Sequence, residues 1–245
     1  MIIHSFAAFG VWHFVLLAVM LLVLFLSVRK KKLTLSAGIV AGILGLLVML
    51  GTGMTGSLML IAFFAMGVVA SRYKRSRKQL ITGISHTEER NLVQVLANGG
   101  IAGICSILVL VDAGHPAFYV FLAAGSLAAA AADTVSSEIG TVHGTRFVNV
   151  LNGKREPPGG DGVISLEGTL AGLSASTVIA LVYGIGVGAS YEVFYVMAAG
   201  VLGNLVDSLL GASLQRRGWL NNDGVNFCNT AAGAITALAL KLIFG

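Results

Sequence analysis

The chain has 245 residues, of which 56% are hydrophobic and only 11% are charged, and its mean hydropathy is +0.87. Soluble domains carry about 25% charged residues, so the composition excludes an ordinary soluble globule. It predicts an all-α polytopic transmembrane helix bundle, one integral membrane domain over residues 1–245. The net charge of +5 resides in short connections between apolar runs, which excludes nucleic acid as a partner and points to membrane lipid.

The first apolar run, residues 11–28, has no charged segment before it, and its cations follow it. It therefore reads as a span rather than a secretory leader. About eight spans are expected, at 11–28, 34–51, 55–71, 93–111, 116–134, 164–186, 191–212 and 225–244. Gly51–Gly56 reads as a tight turn between the second and third.

The cations orient this bundle. Arg29–Lys32 follow the first span, and Arg72, Lys74, Arg75, Arg77, Lys78 and Arg90 follow the third. Arg146, Lys154 and Arg155 follow the fifth, and Arg216 and Arg217 the seventh; only Lys241 lies elsewhere. Alternate connections are basic, so the positive-inside rule places them in the cytoplasm, with loops near 72–92 and 140–163. Both termini then lie outside, in a membrane of the bacterial inner-membrane type. The 72–92 loop reads either as a solvated segment at the headgroups or as one whose cations reach an anionic substrate. Cys105 and Cys228 lie within apolar runs and read as small buried residues.

Against this background a few polar residues stand out. Asp133, Ser136, Ser137 and Glu138 close span five. Asp133 shares a helical face with the two serines, whereas Glu138 joins it only if the helix unwinds. A carboxylate inside an apolar helix is costly and marks function. With hydroxyl neighbours it suits Mg²⁺, which takes oxygen ligands. In span seven Asn204, Asp207, Ser208, Gly211 and Gln215 stack on one face, offering a second carboxylate. Span eight opens with Asn221, Asn222 and Asp223, followed by Asn226; Asp223 reads as an N-cap or a metal ligand. Asn91, Gln94 and Asn98 in span four read as interhelical glue.

The loop between spans five and six gives the phosphate signal. Asn152, Gly153, Lys154 and Arg155 supply positive charge. Pro157-Pro158-Gly159-Gly160-Asp161-Gly162 can turn sharply and present N–H groups to an anion. Ser165 and Glu167 open span six, whose N-terminus also favours an anion. The spacing matches neither a Walker A loop nor a dinucleotide fingerprint.

Four blocks carry a resemblance. In order they are A-D-T-x-S-S-E-I-G, N-G-K-x-x-P-P-G-x-D-G-x-x-S-L-E-G-T-x-A-G, G-N-x-x-D-S-L-L-G-A-x-x-Q and N-D-x-V-N-F. The chain resembles the membrane-protein family that contains plant and cyanobacterial phytyl-phosphate kinase and animal transmembrane protein 19. The likeness covers nearly the whole chain, most strongly residues 131–230. More distantly it is similar to the CTP-dependent dolichol and phytol kinases. Position 135 is Val, where many relatives carry a bulkier residue.

The resemblance implies transfer of the γ-phosphate of CTP or another nucleoside triphosphate onto an isoprenoid lipid monophosphate. The matching positions are Asp133, Ser137, Glu138, Lys154, Ser165, Glu167, Asn204, Asp207, Asp223 and Asn226. On this reading Asp133, Lys154 and Asp207 are catalytic, and Asp133 and Asp207, with Glu138 or Asp223, hold one or two Mg²⁺ ions. Lys154 cradles the nucleotide phosphates with Asn152, Gly153, Arg155, Gly159, Gly160, Asp161, Ser165 and Glu167. Ser136, Ser137, Asn204, Gln215 and Asn226 complete the polar site. Embedded carboxylates also suit an ion-coupled transporter, although no internal repeat is found. A CDP-lipid-type transferase would use similar groups, but its D-G-x-x-A-R pattern is missing.

Overall fold

Small residues and one sharp backbone break set the architecture. The structure is a computed structural model and describes residues 10–83, 89–112 and 114–245. Its helices are α1 (Val11–Arg29), α2 (Leu35–Arg72), α3 (Arg75–Thr82), α4 (Leu92–Val111), α5 (Pro116–His143), α6 (Leu166–Val187), α7 (Glu192–Leu210) and α8 (Asn222–Phe244). A π turn, Gly211–Gln215, prolongs α7. Between α5 and α6, two-residue strands β1 (Val148–Asn149) and β2 (Val163–Ile164) pair antiparallel, Val148 opposite Ile164. Among the described residues, 7 helices are long and apolar enough to cross a membrane.

One of these makes two crossings. Helix α2 has 38 residues, which would span about 57 Å if straight, nearly twice a hydrocarbon core. Instead Gly53 adopts φ 64° and ψ −148°, a combination essentially open only to glycine. A Cβ placed on Gly56 would lie 3.3 Å from Val48 Cγ1. In a continuous helix those two positions stand about 12 Å apart. Lys32 and Leu33, before α2, also share a cavity wall with Ser71 and Arg72 at its end. Thus α2 is two antiparallel arms folded at Gly53, and the expected second and third spans are both present.

Helix α5 is the hub. Residues Ala123 to Ala132 are all buried, although most are alanine. Lipid supplies no hydrophobic drive for helices to associate, so close van der Waals packing must hold them. Glycines of three neighbours meet α5 where a Cβ would approach its atoms to 3.0 Å or less: Gly168 and Gly172 of α6, Gly200 and Gly203 of α7, and Gly233 of α8. Phe121, Leu127, Ile179, Tyr183 and Val196 fill the remaining core. Helix α1 is peripheral, lying along the first arm of α2 where Gly38 and Gly45 face Val28 and Met20.

The connections after α1, α2, α5 and α7 gather at one end of the bundle, since each borders the same cavity there. Residues 84–88 of the second connection lie outside the described residues.

Candidate active site

That cavity has a volume of about 740 Å³. Helix α5 divides its wall by simple periodicity. Asp133, Ser136 and Gly140 turn toward α6 and α7, whereas Thr134, Ser137, Glu138 and Thr141 recur on the face toward α2 and α3.

The first side is acidic. Asp133 of α5 and Asp207 of α7 meet carboxyl to carboxyl. Ser136 Oγ donates to Asn204 Oδ1 at 3.2 Å, and Ser208 Oγ donates to the Asn204 carbonyl at 3.1 Å. Asp207 Oδ2 is buried without a hydrogen-bond partner. Two carboxylates this close repel unless a cation or a shared proton lies between them. Mg²⁺ is bound through one or two carboxylates, with waters and substrate phosphates completing its shell. The pair, with Asn204 and Ser136 beside it, fits that ion. Among the described residues no three His, Cys, Asp or Glu side chains group as a metal cluster.

The second side is basic. Lys78 is buried and donates to the carbonyls of Ala70 at 2.9 Å and Ser71 at 3.0 Å. It also pairs with Glu138. Arg90 is fixed by a backbone bridge, donating to the Lys32 carbonyl at 2.9 Å and accepting from the Thr34 N–H at 3.1 Å. Burial pulls its guanidinium below the ordinary range, and the nearby Glu138 carboxylate opposes that shift. Burial also lowers the Lys32 ammonium, as does repulsion from Arg72 and Arg75. Lys32, Arg72, Arg75, Lys78 and Arg90 all reach the wall.

The 157–162 loop closes the acidic side. Gly162 has φ +69°, and a Cβ there would lie 2.4 Å from the Ala212 nitrogen and 2.5 Å from the Ser208 carbonyl oxygen. Glycine alone permits both the backbone and the approach. Gly211 opens the π turn without a side chain to block the loop, and such turns often mark functional sites. Gln215 Nε2 donates to Asp161 Oδ1 at 2.9 Å, and Arg216 Nε donates to the Asp161 carbonyl at 2.8 Å. Arg216 also grips Glu156 at 3.2 and 2.5 Å. This fork holds the half-buried Glu156 carboxyl below the usual range.

The fold therefore brings together Asp133, Ser136, Ser137, Glu138, Gly159, Gly160, Asp161, Ser165, Asn204, Asp207, Gln215 and Asn226 on one wall. Several expected members stand elsewhere. Asn152, Gly153, Lys154 and Arg155 form an exposed turn that folds back on β1, with Arg155 bridged to Val148, off the cavity wall. There Asn152 Oδ1 accepts from the Lys154 N–H at 2.9 Å, so the segment closes on itself. Glu138 is committed to Lys78 on the basic side rather than joining the carboxyl pair, because α5 stays helical through His143. Asp223 turns to an apolar groove between α4 and the first arm of α2, and the N-cap is Asn221, which accepts from the Gly224 N–H at 2.8 Å. Glu167 accepts from Thr145 N–H at 3.2 Å and Oγ1 at 2.6 Å, tying the start of the α5–α6 connection to the first turn of α6, outside the wall. Ser165 is at the wall, yet its hydroxyl caps α6 by accepting from the Gly168 N–H at 3.1 Å.

The cations of the 72–92 loop enter the sequence reading only as one of two alternatives, with none singled out; they stand at the wall together with Gln94 and Asn98 of α4, which read as interhelical glue. Their signal was the unusual length of the 72–92 connection. The family model described as integral membrane protein DUF92 matches residues 18–234.

This chain belongs to the DUF92 family. The match runs from within α1 to within α8, so it takes in both wall aspartates. The chain is 33% identical over 216 residues to "Protein VTE6, chloroplastic" of Arabidopsis thaliana, covering 84% of this chain and 65% of that protein. It therefore spans just under two-thirds of that relative's length. It is 32% identical over 222 residues to uncharacterized membrane protein MJ0933 of Methanocaldococcus jannaschii, covering 89% of this chain and 90% of the relative. Uncharacterized membrane protein sll0875 of Synechocystis is 29% identical over 208 residues, or 82% of this chain and 80% of the relative. No solved structure matches the chain.

Proposed function

We propose that this DUF92 protein is a membrane-embedded isoprenoid-phosphate kinase. It moves the γ-phosphate of CTP or another nucleoside triphosphate onto a prenyl or phytyl monophosphate, giving the diphosphate. The observation that carries this reading is the meeting of Asp133 and Asp207 in a cavity whose other side is walled by Lys78, Arg72 and Arg90. The resemblance of the 131–230 blocks to the family that contains phytyl-phosphate kinase supports it. By the positive-inside rule the cavity opens to the cytoplasm, where nucleotide is found, and both chain ends lie opposite.

In the reaction an oxygen of the acceptor phosphate attacks the γ-phosphorus. The bond from that phosphorus to the β–γ bridging oxygen breaks, and the nucleoside diphosphate leaves with the electron pair. An acceptor phosphate is already an anion, so no strong base is required. Among the described residues, none that lines the cavity is a histidine. Phosphoryl transfer depends mainly on positioning and charge neutralisation. Asp133 and Asp207, beside Asn204 and Ser136, would hold Mg²⁺, which when bound neutralises phosphate charge and orients its oxygens. Gly159, Gly160 and Gly162 bring backbone instead of side chain to the wall, giving a triphosphate room, while the Asp161 carboxylate is held by Gln215. The cations of α2 and α3 offset charge on the transferring group.

Purified protein supplied with Mg²⁺, a nucleoside triphosphate and a prenyl monophosphate is expected to form prenyl diphosphate and nucleoside diphosphate in equal amounts. Asp133→Asn is expected to lower turnover by about 100-fold or more. Normal turnover in that variant removes the pair from the mechanism. Release of pyrophosphate with a CDP-lipid would replace the kinase with a transferase, and gradient-driven uptake without nucleotide turnover would replace it with a carrier.

A further inference from the structure

The cavity separates its charges, and the separation assigns its two phosphates. On the acidic side stand Asp133 and Asp207, bordered by the water-facing 157–162 loop. On the basic side stand Lys78, which is buried, and Arg90, which is half-buried, with Arg72 at the rim. Glu138 is the carboxylate these two cations face: it pairs with Lys78 and attracts Arg90. The protein's own carboxylate thus marks a place where an anion is favoured. Thr134 and Ser137 add hydroxyls to the same wall.

We infer that this basic pocket, between α3, the end of α2 and Arg90, seats the phosphate of the lipid acceptor, while the acidic side takes the nucleotide's triphosphate. The inference rests on the kinase reading. A triphosphate arrives with a divalent cation, which the facing carboxylates can share. A prenyl monophosphate brings no metal, so side-chain cations must neutralise it. Surroundings agree with this division. Phe64 and Val68 of the second α2 arm carry the basic wall on into the membrane span, as a hydrocarbon tail requires. Helix α3 above it exposes Leu80 at 86%, the mark of a segment lying at the headgroups rather than in water. The Lys78–Glu138 pair is then a gate of charge: the incoming phosphate competes with Glu138 for Lys78.

The test is equilibrium binding to the full-length protein without turnover, with farnesyl phosphate, inorganic phosphate and Mg²⁺–CTP as separate probes. Arg72 is exposed and can be changed without cavity collapse. Arg72→Gln is expected to weaken farnesyl phosphate binding by roughly ten-fold, the loss of one charge-assisted contact, and to leave Mg²⁺–CTP unchanged. Glu138→Gln is expected to act in the opposite direction, tightening farnesyl phosphate several-fold, which a merely structural role would not do. Arg77→Gln removes the same charge from the same connection, away from the wall, and is expected to change nothing. Weakened Mg²⁺–CTP binding with intact farnesyl phosphate binding in Arg72→Gln overturns the inference. So does Glu138→Gln that weakens as Arg72→Gln does, or inorganic phosphate that binds as tightly as the lipid. Arg72-dependent lipid binding without any turnover would sink the kinase reading and keep the pocket. Turnover whose KM for prenyl phosphate ignores Arg72→Gln would do the reverse.

Discussion

Two half-buried acidic sites occupy opposite ends of this bundle, and they differ in one respect. At the end away from the basic connections, Glu192 of α7 accepts from the Tyr183 hydroxyl and from Lys241 Nζ. Lys241 also lies 5.2 Å from the centre of the Phe121 ring. Every group in that set has a partner, and it ties α6, α7 and α8 together. At the basic end Asp133 and Asp207 face each other, and Asp207 Oδ2 has no hydrogen bond. A membrane-embedded acid by itself is therefore a poor sign of function. The informative property is an acid left without its counterion.

The contrast can be broken most sharply at Asp207. Asp207→Asn should cut turnover by about 100-fold or more, while the thermal midpoint holds or rises because a like-charge contact is relieved. A midpoint that falls together with activity would make Asp207 a structural residue like Glu192. The mirror experiment is Glu192→Gln, which strands Lys241. With both groups partly exposed, the expected loss is about 1–2 kcal/mol, read as a midpoint lower by roughly 5 °C. Turnover per folded molecule should stay within about two-fold on the same reasoning, since no substrate group is near. A large loss of kcat with an unchanged midpoint would extend the site to this end.

Smaller effects sharpen the picture at the loop. Glu156 has a depressed carboxyl because Arg216 grips it, so its contribution is fully present above the ordinary value of 4.5. It is lost as pH falls through the lower folded value. Amide hydrogen exchange in residues 148–164 should accordingly quicken as pH drops below the usual carboxylate range, after correction for intrinsic rates. Arg216→Gln should give the same loosening at neutral pH, and an exchange pattern indifferent to both changes would unseat this clasp. The least effect is expected from Lys154→Gln, within about three-fold in kcat/KM, as for exposed surface changes. A loss approaching that of Asp207→Asn would return the exposed turn to the site.

Much of this was legible in the residues. Apolar runs and the breaks between them gave the helices, and the Gly51–Gly56 turn emerged at Gly53. Asp133 and Asp207 were legible because each interrupts an apolar helix, and Asn204 because it lies one turn from Asp207. At Lys154, charge beside glycine reads as a phosphate loop whether or not the loop turns inward. Here only the 157–162 half docks, pinned by Gly162 against α7, while residues 152–155 stay exposed. Glu138 could join Asp133 only if α5 unwound; α5 stays helical and sends it to Lys78 instead.

The sequence by itself determined that the chain crosses a membrane many times, which end gathers the positive charge, and which acids are out of place. These follow from local quantities: span length, hydropathy and the residues flanking each span. Only the tertiary structure decided that Asp133 and Asp207 touch, and that Lys78 and Arg90 turn inward while Lys154 and Arg155 do not. Such pairings depend on how α6 and α7 close against the small residues of α5 and on the fold-back at Gly53, which returns Arg72 to Lys32. Contacts between distant segments are set by packing, and packing is a property of the assembled bundle.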